Sequence, residues 1–169
     1  MQSAADPQDQ AGIERDLALV YYQTGQFDQA ERTYLKVLDV SPEDVTTLNN
    51  LSFLYSNELN KPDRALPYAK KAIERAPFNS DVLDTYGWTL AKLGQYDQAE
   101  IFLARAVQLG QASPMVRYHL GWTYEQIGRL GDSQRQYQSG LDILRNRPDE
   151  QAELLLKEAI ERVLGRLQG

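Results

Sequence analysis

The sequence predicts an all-α fold, a solenoid of about four helix-turn-helix repeats followed by a C-terminal capping helix. Residues of similar character recur every 34 or 35 positions, and a fixed period of this length is the signature of a repeat architecture. No β-type alternation competes with the helical period. We call the residues at equivalent positions of successive repeats a column. The period is clearest in two columns: Leu17, Leu51, Tyr86 and Leu120, and Ala30, Ala65, Ala99 and Ser133.

Glycines indicate where the first helix of a repeat ends. Gly25, Gly94 and Gly128 stand where a left-handed C-terminal cap is expected. The second repeat has no such glycine and is one residue longer than the others. The extra residue falls between Tyr55 and Ala65, where we expect a loop to absorb it.

Serine and proline indicate where helices begin. Ser41 and Ser113 each precede a proline, so each serine is expected to cap a helix that starts at the proline. Pro62 fits the first turn of the second helix of its repeat. Pro67 lies deeper and is expected to bend that helix or to delay its start.

Many columns match one known pattern at once, namely a bulky residue, a small residue next to it, a bulky residue three positions on, and then small and bulky residues before a proline. The matching residues are Leu17, Ala18, Tyr21, Ala30, Tyr34, Val37 and Pro42; Leu51, Ser52, Tyr55, Ala65, Ala69, Ala72 and Pro77; Tyr86, Gly87, Leu90, Ala99, Leu103 and Ala106; and Leu120, Gly121, Tyr124, Ser133, Tyr137 and Gly140. In these columns the chain resembles the tetratricopeptide repeat (TPR) family over about residues 11–147.

The resemblance implies a right-handed α-solenoid. We expect a disordered leader at 1–10, repeats 1 to 4 at 11–44, 45–79, 80–113 and 114–147, and a capping helix at 148–169. Gln111 and Arg145 replace the closing proline, so the fourth repeat is expected to be less regular or to have a longer second helix. The runs NNLSFLY and DTYGWTLAKLGQYDQA look most like bacterial members, including those of envelope and polysaccharide-export systems.

Composition excludes several classes of function. The net charge is −6, which argues against binding to nucleic acid or to anionic membranes. Every apolar run is far shorter than the roughly 20 residues of a membrane-spanning helix. The stretch MQSAADPQDQ has neither the basic nor the apolar region of an export signal, so we expect no signal peptide in this chain. The sequence does not give its location, and both cytoplasm and periplasm stay open.

Nothing in the sequence indicates an enzyme, a cofactor or a metal site. The chain has no cysteine and one histidine, so nucleophilic chemistry of the Ser-His-Asp type would have to use His119. No glycine-rich phosphate loop occurs. The 24 acidic residues offer many carboxylate pairs, but most are better explained as solvated helix faces and caps. We therefore expect no catalytic residue.

One column is apolar where a surface helix should be polar. With each repeat numbered so that Leu17 is position seven, a rotation of about 100° per residue places positions four, seven, eight and eleven on the core face. Position nine then points almost the opposite way, where polar residues are normal. We call its four members the position-nine ladder: Leu19, Phe53, Trp88 and Trp122.

In the TPR family this side of the first helices lines a concave groove that usually holds a peptide. The ladder would form an apolar floor with polar edges, which suits an extended or helical peptide that bears bulky side chains. Asn50 could pair with a peptide backbone, because an amide both donates and accepts. The predicted groove residues are Leu19, Tyr22, Asn49, Asn50, Phe53, Trp88, Lys92, Tyr118, His119 and Trp122.

Structural alternatives compete with each of these assignments. The ladder residues could instead pack against the first helix of the adjacent repeat, and Asn50 could bond a neighbouring helix. His119 is expected to line the groove or simply to be exposed. Some TPR proteins clamp a C-terminal carboxylate with lysine, asparagine and arginine, but only Asn50 fits that pattern here, so we predict against that specificity.

Two functions remain open. The first is a protein-interaction adaptor that binds a partner peptide in the groove. The second is a self-associating structural module of a bacterial envelope, secretion or polysaccharide-export assembly, in which the apolar C-terminal helix or the polar leader contacts a second copy. We expect a protein or peptide partner, a possible homo-oligomer, no nucleic acid and no membrane insertion.

Overall fold

The computed structural model describes residues 7–109, 113–145 and 151–168, and every regular element in these ranges is helical. The chain divides into two compact units, the N-terminal unit Met1–Pro77 and the C-terminal unit Phe78–Gly169. The helices are α1 (Pro7–Gln23), α2 (Phe27–Val40), α3 (Val45–Phe53, continued by a π-helical turn, Leu54–Glu58), α4 (Pro62–Arg75), α5 (Ser80–Lys92), α6 (Tyr96–Leu109), α7 (Pro114–Gln126), α8 (Leu130–Arg145) and α9 (Gln151–Gln168).

In the N-terminal unit α1 packs on α2, α2 on α3, and α3 on α4. Small residues from paired helices meet inside this unit, and large side chains fill the remaining space. Ala18 and Ala30 are fully buried beside Tyr34 and Tyr55. The helix α1 begins at Pro7, so it includes the last four residues of the expected leader, and residues 1–6 lie outside the described part of the chain.

The C-terminal unit places α5 against α6, α7 against α8, and α9 against α8. Two glycines make the first two contacts close. A Cβ on Gly87 would lie 2.7 Å from Leu103 Cγ, and one on Gly121 would lie 2.9 Å from a ring carbon of Tyr137. Both glycines follow a position-seven residue and so occupy position eight, and these contacts confirm that position eight lies on the core face.

The three glycine caps also form as predicted, because Gly25, Gly94 and Gly128 all have positive φ angles of 74° to 76°. At the first of them, Gly25 N–H donates to the Tyr22 carbonyl and Gln26 N–H donates to the Tyr21 carbonyl. This pair of backbone hydrogen bonds is a Schellman motif, and the same pair recurs at the other two glycines.

The second repeat ends its first helix differently, which corrects the expected loop. The extra residue is absorbed by the π-helical turn, in which Leu59 N–H donates to the Leu54 carbonyl five residues back. Asn60 then adopts the left-handed conformation with φ 49°, and Lys61 N–H reaches the Tyr55 carbonyl. Such π-helical turns are often found at functional sites.

One expectation about a helix start was wrong, and one of the two alternatives for Pro67 does not occur. The cap of α3 is Asp44 rather than Ser41, and its carboxylate accepts a hydrogen bond from Thr47 N–H at 2.7 Å. Burial alone would raise the pKa of Asp44, but this bond and an ion pair with Arg15 lower it overall. Pro67 does not delay α4, which begins at Pro62 as the first-turn signal predicts.

The last two helices agree with most of the sequence pattern. With 16 residues, α8 is longer than α2, α4 and α6, as expected for the fourth repeat. In α9, Ile160 and Leu164 are buried against α8. Leu155 of the same helix lies outside that contact and is 64% exposed.

Candidate functional site

The four members of the position-nine ladder have unequal exposure. In the N-terminal unit Leu19 is exposed and Phe53 is half-buried. In the C-terminal unit Trp122 is half-buried, whereas Trp88 is only 5% exposed. The expectation that Trp88 forms an open groove floor is therefore wrong, and the packing alternative describes this residue better.

Trp88 is buried by an aromatic cluster of the C-terminal unit. Its ring stacks on the His119 imidazole with centroids 4.2 Å apart and an angle of 13° between the planes. Trp122 meets it edge-on at 5.1 Å, and Lys92 Nζ lies 5.6 Å from its centroid. In the described part of the chain, Trp88 Nε1 has no hydrogen-bond partner.

His119 is also buried, with 1% of its side chain exposed, which corrects the expectation of a groove-lining or exposed imidazole. Its Nδ1 lies 2.8 and 3.0 Å from the two carboxylate oxygens of Asp84. A carboxylate can only accept, so Nδ1 carries the proton and donates. Asp84 and His119 come from α5 and α7, and their bond orients the ring on which Trp88 stacks.

The reachable part of this cluster lies around Trp122. Tyr96 is half-buried with its ring 6.3 Å from Trp122, and Lys92 and Tyr118 are half-buried beside them. Tyr118 packs against Tyr137 at 5.8 Å. Burial, with the nearby Glu125 carboxylate, raises the pKa of Tyr118, so this hydroxyl is a neutral donor at ordinary pH.

In the N-terminal unit the predicted residues surround a cavity of about 40 Å³. It is lined by Leu19, Tyr22, Tyr34, Asn50 and Phe53, four of which the sequence had placed in the groove. The Tyr22 and Phe53 rings meet edge-on with centroids 6.3 Å apart. Asn49 does not line this cavity; it is half-buried, and its Oδ1 has no hydrogen-bond partner in the described ranges.

The π-helical turn provides a polar partner for Tyr22, one of the residues that line this cavity. Tyr22 Oη donates to Glu58 Oε1 at 3.0 Å, and Asn57 Nδ2 donates to the same oxygen at 2.8 Å. Burial raises the pKa of Tyr22, and the Glu58 charge raises it further. Tyr22 therefore remains a hydroxyl that is held by an exposed carboxylate.

Three contributors were absent from the predicted site: Asp84, Glu58 and Tyr34. Asp84 could have been found from its position, since it lies 35 residues before His119, one repeat earlier. Tyr34 belongs to a core column and gave no sign that it also lines a cavity. Glu58 reaches Tyr22 because of the π-helical turn, which no sequence signal identified.

Among the described residues no group of three or more histidine, aspartate or glutamate side chains could hold a metal ion. Within the same ranges no helix is both long and apolar enough to cross a membrane.

Comparison with known proteins agrees with the helical pairs and the glycine caps. Two family models match, both described as tetratricopeptide repeat, at residues 9–77 and 57–118. The chain belongs to the tetratricopeptide repeat family. Its all-α solenoid fold is therefore established. Arrays of this kind build extended concave surfaces for other proteins, so the TPR chain is a protein-interaction scaffold.

Sequence relatives come from Pseudomonas aeruginosa. The TPR chain is 29% identical over 147 residues to the type IV pilus assembly protein PilF, a match that covers 84% of this chain and 58% of PilF. It is 28% identical over 120 residues to a TPR repeat-containing protein of the same species, covering 68% of this chain and 20% of that protein. The chain thus spans 58% or less of the length of these curated relatives.

Solved structures share the fold. A MamA protein from Desulfovibrio magneticus RS-1 superposes with a TM-score of 0.69 at 15% identity, covering 85% of this chain and 78% of MamA. YrrB, described as a TPR protein with an unusual peptide-binding site, superposes with a TM-score of 0.65 at 22% identity, covering 88% of this chain and 74% of YrrB. At these identities the likeness establishes the fold alone.

Proposed function

We propose that this TPR chain is an adaptor that binds a peptide segment of a partner protein on the faces that carry the position-nine ladder. The observation that carries the proposal is the placement of Trp122. This large ring is half-buried and is held edge-on by a buried tryptophan, so it is already ordered before a ligand arrives. Rigid aromatic anchors of this kind dominate the binding energy of protein interfaces.

The neighbours of Trp122 fit a peptide ligand. Tyr96 adds apolar contact area, Tyr118 offers a neutral hydroxyl, and Lys92 offers a flexible cation that can meet a carboxylate or a carbonyl. The stacked pair of Trp88 and His119 lies beneath them and contributes rigidity rather than contact. This face suits a segment with a bulky apolar residue and polar neighbours.

The N-terminal unit offers a second, smaller contact surface. Leu19, Tyr22 and Phe53 expose apolar edges around the cavity, and the Asn50 amide can pair with a peptide backbone. The remaining predicted groove residues, Asn49 and His119, have buried polar atoms and are proposed to support the ladder from below.

The test compares capture of partners by three forms of the full chain: the wild type, Trp122→Ala and Phe78→Ala. Phe78 is a matched aromatic control, because it is 72% exposed and contacts Arg105 on α6 rather than the tryptophan cluster. A partner that the wild type captures from its native host is then reduced to a defined peptide and titrated against all three forms.

We expect Trp122→Ala to weaken peptide binding by about 30-fold, the size of a hot-spot loss of about 2 kcal/mol, while Phe78→Ala binds like the wild type. Thermal unfolding checks that both variants fold. Equal binding by all three forms would contradict the proposal. The description of PilF as a pilus assembly protein makes components of such an assembly the first partners to try.

A second candidate is self-association, and one observation favours it. Position seven is buried at Leu51 and Leu120, but Leu17 is 42% exposed, and Ile13 and Val20 on the same face of α1 are 68% and 51% exposed. This apolar stripe could contact a second copy of the chain. Sedimentation over a range of concentrations tests it: a dimer that Leu17→Lys dissociates supports self-association, and a monomer throughout rejects it.

A further inference from the structure

One face of α1 carries apolar residues at positions that are buried in other repeats. Ile13, Leu17 and Val20 stand at positions three, seven and ten and are 68%, 42% and 51% exposed. We call them the α1 stripe. In the second and fourth repeats the same three positions are buried, at Thr47, Leu51, Leu54, Val116, Leu120 and Thr123. The α1 stripe thus has the composition of an internal helix contact without a covering helix in the described part of the chain.

The chain itself shows what kind of element covers such a face. The second helix of one repeat packs on the first helix of the next, α2 on α3 in the N-terminal unit and α6 on α7 in the C-terminal unit. Leu35 and Leu38 of α2 pack against the cluster that contains Leu51 and Leu54. Among the described residues no element precedes α1. The shape that fits the α1 stripe is therefore an α-helix with bulky apolar residues three or four positions apart.

Acidic side chains flank the α1 stripe. With a rotation of about 100° per residue, Glu14 and Asp16 lie on opposite sides of Leu17. Asp16 is exposed and Glu14 is half-buried. The nearest cation, Arg15, is held by Asp44 at 3.0 Å, and its Nε is 3.9 Å from Asp16. A covering helix with lysine or arginine beside its apolar residues is therefore favoured over an acidic one.

A second copy of the chain, as in the self-association candidate, is the competing occupant. Contact between two α1 stripes would be isologous, so it would bring the flanking carboxylates of both copies together. Each copy also has a net charge of −6. Repulsion between like charges therefore favours a basic partner over a second copy.

We propose that the α1 stripe docks an amphipathic helix of a partner protein in which basic residues flank the apolar positions. This helix takes the place on α1 that α2 takes on α3. The stripe lies about 120° around α1 from Leu19, the ladder residue of the same helix. The inference is therefore a second docking surface, and it is independent of the peptide face at Trp122.

Two peptides based on α2 test the surface, because α2 is the chain's own example of a covering helix. Both span residues 26–41, with blocked ends and a fluorophore. In the basic probe the acidic residues become lysine: Asp28→Lys, Glu31→Lys and Asp39→Lys. In the acidic probe the basic residues become glutamate: Arg32→Glu and Lys36→Glu. Fluorescence anisotropy measures the affinity of each probe for the full chain at low ionic strength.

Leu17→Lys and Ile13→Lys test the apolar contact. Both positions are partly exposed, so both variants should fold, which thermal unfolding checks. The matched control is Leu109→Lys, since Leu109 is 48% exposed on α6 of the other unit. We expect each stripe variant to bind the basic probe at least about tenfold more weakly than the wild type, because the docked helix would bury the new cation, whereas the control should bind normally. In the wild type the Ile13 and Val20 methyl resonances should shift on binding.

Glu14→Gln combined with Asp16→Asn tests the charge preference. The control, Glu158→Gln combined with Glu161→Gln, removes the same amount of charge from exposed positions on α9. We expect the wild type to bind the basic probe about tenfold more tightly than the acidic probe. That ratio should fall to about threefold or less in the first variant and stay unchanged in the control. High salt should reduce it in the wild type.

Equal binding of the two probes, normal binding by both stripe variants, or no saturable binding would each overturn the proposal. A wild-type dimer that Leu17→Lys dissociates would also overturn it, because a second copy would then occupy the stripe. The adaptor function is measured separately: Trp122→Ala should bind the basic probe like the wild type. Failure at the α1 stripe therefore leaves the Trp122 result standing, and the reverse also holds.

Discussion

Truncation of Trp88 tests whether this residue acts through packing. A buried tryptophan removes about 150–250 Å² from water, which at roughly 25 cal/mol per Å² gives an upper limit of about 4–6 kcal/mol. Truncations of buried aromatics to alanine cost about 3–5 kcal/mol. Since Trp88 is 5% exposed and contacts His119, Trp122 and Lys92, we expect Trp88→Ala to destabilise the C-terminal unit by about 3–4 kcal/mol.

Trp88→Phe separates the ring from its N–H group. The variant keeps an aromatic face for His119 and removes a buried donor that has no partner in the described part of the chain. Relief of that donor is worth about 1–3 kcal/mol and opposes the loss of ring area. We therefore expect Trp88→Phe to cost less than about 1.5 kcal/mol.

Fluorescence during urea unfolding measures both effects. The two tryptophans of the chain lie in the C-terminal unit, so the signal reports that unit, and in Trp88 variants it comes from Trp122 alone. A loss below about 1 kcal/mol for Trp88→Ala, or equal losses for both variants, would refute the packing argument. In that case Trp88 would have to be accessible and available to a ligand.

Three further outcomes are expected. Gly87→Ala should lower the stability of the fold by about 1–2 kcal/mol because its Cβ would collide with Leu103. Gly165→Ala has open space around it and should raise the stability by up to about 1 kcal/mol through helix propensity. Equal effects of the two variants in thermal unfolding would contradict this. Asp44→Ala should lower the free energy of unfolding by about 1–2 kcal/mol near neutral pH. Hydrogen bonds outweigh burial and lower the native pKa of Asp44. The stability difference between wild type and variant, measured by urea titration, should therefore disappear as the pH falls through that pKa. Burial raises the native pKa of Tyr55 and Tyr137, so their contribution to the free energy of unfolding is complete below the ordinary tyrosine pKa and is lost as the pH rises. Ultraviolet titration should show these two tyrosines ionising only as the protein unfolds. Ionisation before unfolding would count against their burial.

The fold was largely predictable because its determinants act locally or repeat. Gly25 needs a left-handed backbone at a helix end, and Gly87 recurs in a column that is small in every repeat. The errors concern choices between adjacent signals. Asp44 rather than Ser41 caps α3, since the helix starts three residues later than the proline suggests.

The candidate site was predictable only as a set of positions. Trp88 and Trp122 occupy the same column and have the same preceding glycine, yet one is buried and the other half-buried. The difference arises because His119 and Asp84, from two different helices, form a bonded pair that covers one face of Trp88. A column shows which way a side chain points from its own helix and does not show what lies opposite.

By itself, the sequence determined the helical period, the positions of the glycine caps, the close helix contacts and the family, because each depends on residues a few positions apart or on a fixed interval. Tertiary structure alone decided that Glu58 holds Tyr22, that Tyr34 lines a cavity, and that Trp88 is packed. Those features depend on contacts between separate helices and on the rotation introduced by a π-helical turn. The repeat interval locates the inserted residue between Tyr55 and Ala65, but it does not show that a π-helical turn absorbs the insertion and brings Glu58 to Tyr22.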